Sequence, residues 1–158
     1  MRRSDREIMD PAEITAVMSR CDVVRLALNT ATVPYILPVN FGMEPDGMTL
    51  YIHGAMSGTK YDLIAADNRA SFEMDCAHEL VMDEGNHSCT MNYESVIGWG
   101  EIDEVTDEAE KLHALHRLMV QYHEEDFSYN TAPVAMTRIL RLRVKERTAK
   151  RRRKLVKA

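Results

Sequence analysis

The stretch PYILPVNFGMEPDGMTLYIH, residues 34–53, decides the fold because it holds two extended runs separated by a tight turn. Glu44–Gly47 combines proline, aspartate and glycine, which are strong turn formers, and apolar residues dominate on both sides. Pro34 and Pro38 argue against a fully paired central strand and are typical of an edge, a bulge or a ligand-facing stretch. The stretch therefore predicts two antiparallel strands of a meander.

Further β-prone segments lie on both sides of this meander. We predict six strands in all, at residues 23–28, 34–41, 48–53, 71–76, 88–105 and 134–144. Asp10 and Pro11 begin a first helix, a short helix covers 61–66, and a third starts near Thr106 and ends near His123. Strands that follow one another in runs favour a mostly β fold, an antiparallel sheet or barrel with peripheral helices, over a doubly wound parallel sheet.

The second meander strand leads into a loop of small residues, Gly54–Gly58, and then into the short helix. Ser57, Thr59 and Lys60 lie at the start of this helix, where free backbone N–H groups attract anions. Two hydroxyl groups and an ammonium group add donors, and glycine lets the backbone approach a ligand closely. This pattern indicates a phosphate site, with a capped turn and a solvated lysine as the alternative.

Two groups of histidines are candidates for chemistry. His53 ends the strand before the loop, and histidine can donate or accept a proton near neutral pH. A half-buried, hydrogen-bonded side chain is the alternative. His113 and His116 are three residues apart on the third helix, but the glutamate of an HExxH zinc motif is missing and no cysteine is adjacent. We interpret this pair as solvated and predict no metal site.

The segment NYESVIGWG, residues 92–100, places an aromatic residue, a hydroxyl group and two glycines on one extended stretch. Gly98 and Gly100 indicate either close approach by a ligand or a corner of a barrel. Trp99, the only tryptophan, fits the core, a subunit interface or a stacking contact with an aromatic ligand. The residues alone leave these alternatives open.

Composition is that of a single globular domain, with 158 residues, 45% hydrophobic and 28% charged. The three cysteines, Cys21, Cys76 and Cys89, form no CxxC pair and favour a reducing compartment. The N-terminal residues are polar, without the apolar core of a signal peptide, and no apolar run is long enough to cross a membrane. We therefore expect a soluble, cytoplasmic protein.

Charge is unevenly distributed along the chain, whose net charge is −5. Residues 138–158 contain eleven Lys or Arg and one acid, Glu146, whereas the preceding part is acidic. We predict one domain at 1–145 and a basic tail at 146–158. A solvated terminus is favoured over non-specific nucleic-acid binding, because no aromatic residues interleave with the basic ones.

Four motifs in order resemble the 5-nitroimidazole-resistance (Nim) branch of the pyridoxamine 5'-phosphate oxidase-like superfamily, across about residues 1–150. The opening MRRSDREI is similar to the charged start of that branch. PYILPVNF resembles its PYxxPxNF strand, and LYIHGA followed by GTK resembles its LYxHxA…GxK segment. The segment from Cys89 to Gly100, with YESVIG at 93–98, resembles its CxxxYxSVIxxG strand.

The resemblance implies a six-stranded split β-barrel that binds FMN and works as a homodimer, with flavin sites at the subunit interface. It implies that His53 is catalytic. Thr59 stands where many relatives carry the first of two lysines, so either phosphate affinity is lower or another basic residue compensates. By position, the cofactor-binding residues are Pro38, Val39 and Asn40 at the flavin ring, His53, Gly54, Ala55, Ser57, Thr59 and Lys60 at the phosphate loop, and Ser95, Val96 and Ile97.

These expectations lead to an FMN-dependent oxidoreductase that reduces a small aromatic substrate, with a 5-nitroimidazole as the specific candidate. Flavin carries the redox step in such an enzyme, and the protein positions the substrate. One alternative is an oxidase of B6 vitamers, for which no clear set of extra basic residues is visible. Another is a non-catalytic flavin or haem binding protein, with His53, His113 or His116 as candidate axial ligands.

Overall fold

The computed structural model describes residues 3–124, 134 and 136–154, and over these residues the chain forms eight strands and three α-helices. The helices are α1 (Pro11–Met18), α2 (Thr59–Ala66) and α3 (Glu108–Gln121). The strands are β1 (Glu7–Ile8), β2 (Val24–Leu28), β3 (Tyr35–Val39), β4 (Gly42–Met43), β5 (Thr49–Gly54), β6 (Arg69–Asp83), β7 (Ser88–Val105) and β8 (Arg138–Arg152).

All eight strands belong to one antiparallel sheet in the order β3-β2-β6-β7-β8-β5-β4, and β1 pairs with the far end of β8. The predicted mostly β fold with peripheral helices is confirmed. The predicted number of six strands is wrong, because β1 and β4 add two strands of two residues each. Among the described residues β3 and β4 do not pair with each other, so the sheet remains open.

Strands β6 and β7 form a long hairpin that extends beyond the rest of the sheet. The strand predicted at 71–76 is longer than expected, because β6 continues through an acidic segment to Asp83 and pairs with β7 as far as Ser88. The register shifts between Cys76 and Glu79, where Ala77 adopts a left-handed φ of 56°. This bulge accommodates one extra residue of β6, and the pairing resumes beyond it.

The last strand also runs further than predicted. Residues 146–152 were assigned to a tail, but β8 continues to Arg152, which lies opposite Tyr93 of β7. Acidic partners make this basic strand compatible with the sheet: Arg141 pairs with Asp103, and Lys145 pairs with Glu101. Only the last part of the predicted tail, residues 155–158, lies outside the described residues.

The main core lies between one face of the sheet and helix α1. Asp10 caps this helix, as predicted, by accepting a hydrogen bond from the N–H of Ala12 at 2.9 Å. The largest fully buried side chains include Phe41, Met18 and Leu26. No helix in the described ranges has the length and apolar character required to cross a membrane.

Helix α3 covers the sheet at β4 and β5. A Cβ atom on Gly42 would lie 2.4 Å from backbone atoms of Arg117 and Leu118, so only glycine permits this close approach. Arg117 also donates a hydrogen bond to the carbonyl of Met43 at 2.7 Å. These contacts fix α3 at one end of the sheet and leave the loop between β5 and α2 exposed.

Candidate functional site

The loop between β5 and α2 has the features of an anion site. Gly58 precedes the helix with φ at 150°, a conformation that side-chain-bearing residues rarely adopt. Within the described part of the chain, the backbone N–H groups of residues 56–60 donate to no acceptor. Ser57 and Thr59 are exposed beside them. Five free amides and two hydroxyl groups at a helix start are suited to hold a phosphate.

Tyr61 and Lys60 close this loop from the helix side. The Tyr61 hydroxyl donates a hydrogen bond to the Ala55 carbonyl at 2.5 Å. Lys60 Nζ lies 4.9 Å from the centre of the Tyr61 ring, as in a cation–π contact. A Cβ on Gly54 would lie 2.6 Å from the Tyr61 hydroxyl and 2.7 Å from Lys60 Nζ. The space that a side chain at Gly54 would occupy therefore holds the polar ends of two helix residues.

Sequence reasoning missed a second cation at this loop, Arg138. It is the first residue of β8 and lies opposite Gly54 in the pairing of β5 with β8. Its guanidinium carbon lies 3.8 Å from the centre of the Tyr61 ring. In the sequence, Arg138 is one of several alternating arginines of β8. This alternation does not indicate which residue of another strand lies opposite each arginine.

His53 is exposed at the end of β5, directly before the loop, and lies opposite Ile139. Its imidazole has no hydrogen-bond partner among the described residues, in contrast to the predicted alternative of a half-buried, hydrogen-bonded side chain. His113 Nε2 on α3 donates a hydrogen bond to Glu44 Oε1 at 2.6 Å, and the Tyr51 hydroxyl donates to the same oxygen at 2.9 Å. Of the two, only His53 adjoins the candidate anion site.

Strands β3, β2, β6, β7 and β8 present an exposed face opposite the core, which we call the outer face. One row of paired residues across it is Pro38, Arg25, Glu73, Ile97 and Thr148. The adjacent row is Ile36, Ala27, Ser71, Trp99 and Glu146. A cavity of about 600 Å³ lies over these rows. The structure therefore brings Pro38 and Ile97 onto one face, near the sole tryptophan.

Other predicted cofactor residues have their side chains elsewhere. Val96 is fully buried, and Val39 is partly buried and packs against the main core, so only their backbones are available to a ligand on the outer face. Asn40 donates a hydrogen bond to the Tyr122 hydroxyl at 3.0 Å. Ser95 is the exception, because it lies on the outer face opposite Lys150 and is half-buried.

Two of the predicted segments, the phosphate loop and residues 95–97, lie far apart in one chain. On β8, Ile139 lies opposite His53, whereas Thr148 lies opposite Ile97. These partners are nine residues apart, which corresponds to roughly 30 Å along the strand. A single chain therefore does not bring the phosphate loop next to the segment 95–97.

Family comparison agrees with this architecture. Residues 10–151 match the protein family described as pyridoxamine 5'-phosphate oxidase. The chain therefore belongs to this family, which confirms the resemblance to the superfamily but not to its Nim branch. Among curated protein sequences, none matches the chain.

Solved structures with the same fold include three informative cases. A candidate 5-nitroimidazole antibiotic resistance protein from Bacteroides thetaiotaomicron is 28% identical, with a TM-score of 0.80, over 91% of this chain and 85% of its own. The flavocytochrome Anf3 from Azotobacter vinelandii is 18% identical, with a TM-score of 0.79, over 98% of this chain and 72% of its own. A FAD and haem binding protein from Mycobacterium smegmatis is 17% identical, with a TM-score of 0.79, over 97% of this chain and 76% of its own. The last two similarities show the fold alone.

Proposed function

We propose that this protein is an FMN-dependent oxidoreductase that reduces a small aromatic substrate, with a 5-nitroimidazole as the specific candidate. The free amides of residues 56–60 carry this proposal, because N–H groups at a helix start are suited to bind an anion and the chain belongs to the pyridoxamine 5'-phosphate oxidase family. The 28% identical structure named for 5-nitroimidazole resistance supports the substrate class.

The residues of the loop fit the phosphate end of FMN. Ser57, Thr59 and Lys60 would hold the phosphate, with His53, Gly54 and Ala55 alongside. The flavin, when bound, supplies the electrons for reduction, and the protein orients the substrate and handles protons. His53 is exposed next to the loop, where its imidazole can hold or deliver a proton at a nitro oxygen of the substrate.

A homodimer is part of the proposal. The outer face exposes apolar side chains, with Ile36 at 65%, Ile97 at 52% and Trp99 at 41% exposure. A patch of this kind marks an interaction surface, and a second copy of the chain would cover it. Segment 95–97 of one copy would then meet the loop of the other, which overcomes the separation of these two segments within one chain.

The first prediction is that the purified protein is yellow. We expect absorption bands near ~370 and ~450 nm and the release of FMN on denaturation, identified by mass, because the loop binds a phosphate monoester. A colourless protein that also does not bind added FMN would contradict the proposed function. A Soret band would instead support the haem binding alternative.

Replacing His53 by alanine should slow substrate reduction while FMN remains bound. Loss of a positioned proton donor reduces the rate by about 100-fold or more. The measurement is the reoxidation of the chemically reduced protein by a 5-nitroimidazole in a single turnover, with bound FMN quantified beforehand. His116→Ala is the matched control, since His116 is exposed on α3. An unchanged rate in His53→Ala would remove His53 from the mechanism.

A further inference from the structure

We propose that Arg138 is the second cation of the phosphate site and sets the preference for phosphorylated over unphosphorylated flavin. The proposal rests on the proposed function, because it assigns the phosphate of FMN to the loop between β5 and α2. A phosphate monoester carries close to two negative charges at neutral pH, with a second ionisation near ~6. Lys60 supplies one positive charge at this loop, and Arg138, which shares its charge with Glu104, adds guanidinium N–H donors.

Two contacts place the Arg138 guanidinium at the loop. It stacks on the Tyr61 ring at 3.8 Å from the ring centre, and Lys60 Nζ lies against the same ring at 4.9 Å. Its Nη1 lies 3.4 Å from the Met56 carbonyl in the middle of the loop. The Tyr61 ring thus contacts both cations, and its hydroxyl donates a hydrogen bond to the Ala55 carbonyl.

Glu104 orients Arg138 for this role. The Nε of Arg138 donates to Glu104 Oε1 at 2.8 Å, and Nη2 donates to the other carboxylate oxygen. This two-point contact occupies one edge of the guanidinium and leaves Nη1 facing the loop. Because its planar fork is held in place before a ligand arrives, Arg138 loses little side-chain entropy when it binds an anion.

The placement of the loop carbonyls supports the same conclusion. Tyr61 engages the carbonyl of Ala55, and Arg138 lies next to that of Met56. With both carbonyls turned toward donors, the N–H groups of the loop and the two cations remain for an anion. The weak 3.4 Å contact of Nη1 is one that a phosphate oxygen, as a charged acceptor, would outcompete.

The decisive experiment compares the affinities of FMN and riboflavin for the wild-type protein and Arg138→Gln. We expect the Kd of FMN to rise about tenfold to a hundredfold, the effect of one lost charge-assisted hydrogen bond, while the Kd of riboflavin stays within about twofold. Arg143→Gln is the matched control, because Arg143 is exposed on the same strand and pairs with Asp103 away from the loop. It should change neither affinity.

Two outcomes would overturn the proposal. If Arg138→Gln weakens FMN and riboflavin equally, Arg138 acts as a clamp on the loop and not as a phosphate ligand. If it weakens neither, Arg138 has no role in binding. Should Arg138→Gln fail to fold, Arg138→Lys replaces it: a loss confined to FMN supports the proposal, and an equal loss for both flavins contradicts it.

Inorganic phosphate separates this proposal from the proposed function. If the wild-type protein binds neither flavin, the proposed function fails, and thermal stabilisation by phosphate then tests the site by itself. Stabilisation of the wild-type protein and of Arg143→Gln, but not of Arg138→Gln, would support an anion site built on Arg138. Equal stabilisation of all three proteins, or of none, would contradict it.

Discussion

Replacing Glu94 by alanine should destabilise the fold by about 3 kcal/mol, the lower end of the range for breaking a buried ion pair. The Glu94 side chain is 1% exposed and faces three guanidinium groups. Arg20 donates to Oε2 at 2.5 Å, while Arg151 and Arg153 donate to Oε1 at 2.5 and 3.0 Å. Without the carboxylate, three positive charges converge on an empty space. The loss is at the lower end because the arginines retain access to water.

The measurement is urea denaturation of the wild-type protein and the variant at neutral pH. Glu101→Ala is the matched control, since Glu101 lies on the same strand but is 45% exposed in its pair with Lys145. Exposed pairs contribute little, so this variant should differ from wild type by about 0.5 kcal/mol or less. Equal effects of the two substitutions would show that the arginine cluster contributes nothing specific to stability.

The pH dependence of the Glu94 effect has a definite sign. Burial raises the pKa of Glu94, but hydrogen bonds from Arg20 and Arg151 outweigh burial and hold the pKa below the usual 4.5. A carboxylate with a lowered folded-state pKa stabilises the protein above its unfolded pKa and loses this contribution as the pH falls through the folded value. The difference between wild type and Glu94→Ala should therefore shrink below pH 4.5.

Local patterns in the sequence predict most strands of the sheet, but they miss the two shortest strands and the outer part of the β6–β7 hairpin. The six predicted strands all exist because each has enough β-prone residues to be recognised. Strands β1 and β4 have two residues each, too few for any period to appear. The acidic segment 77–83 pairs with β7 beyond a bulge. Its composition is typical of loops, so the sequence alone does not indicate that it forms a strand.

In the candidate site, too, the sequence predicts residues that lie close together in the chain but misses one that a distant strand supplies. Ser57, Thr59 and Lys60 are adjacent in sequence, so their common location at a helix start was predictable. Arg138 joins them only because β8 pairs with β5, and that register depends on the whole sheet. Residues near a site in sequence can be predicted from a motif, whereas residues supplied by a distant strand require the fold.

Replacing Ile97 by glutamate should convert the proposed dimer into a monomer of 18.1 kDa. Ile97 lies in the middle of the outer face, in the row that links Pro38 to Thr148, and lines the cavity of about 600 Å³. The change removes an apolar contact and places an unpaired carboxylate in the interface, twice in a symmetric dimer. The dimer Kd should rise by about a thousandfold or more, equivalent to roughly 4 kcal/mol.

Sedimentation velocity at several concentrations measures this change, and Met9→Glu is the matched control. Met9 is 78% exposed but lies outside the sheet, so the same substitution there should leave the mass unchanged. If one flavin contacts the loop of one copy and the segment 95–97 of the other, Ile97→Glu must lose FMN together with its partner, while Met9→Glu retains both. A monomeric Ile97→Glu protein that still binds FMN with wild-type affinity would show that each chain holds its cofactor alone, and that the outer face serves assembly without contributing to the site.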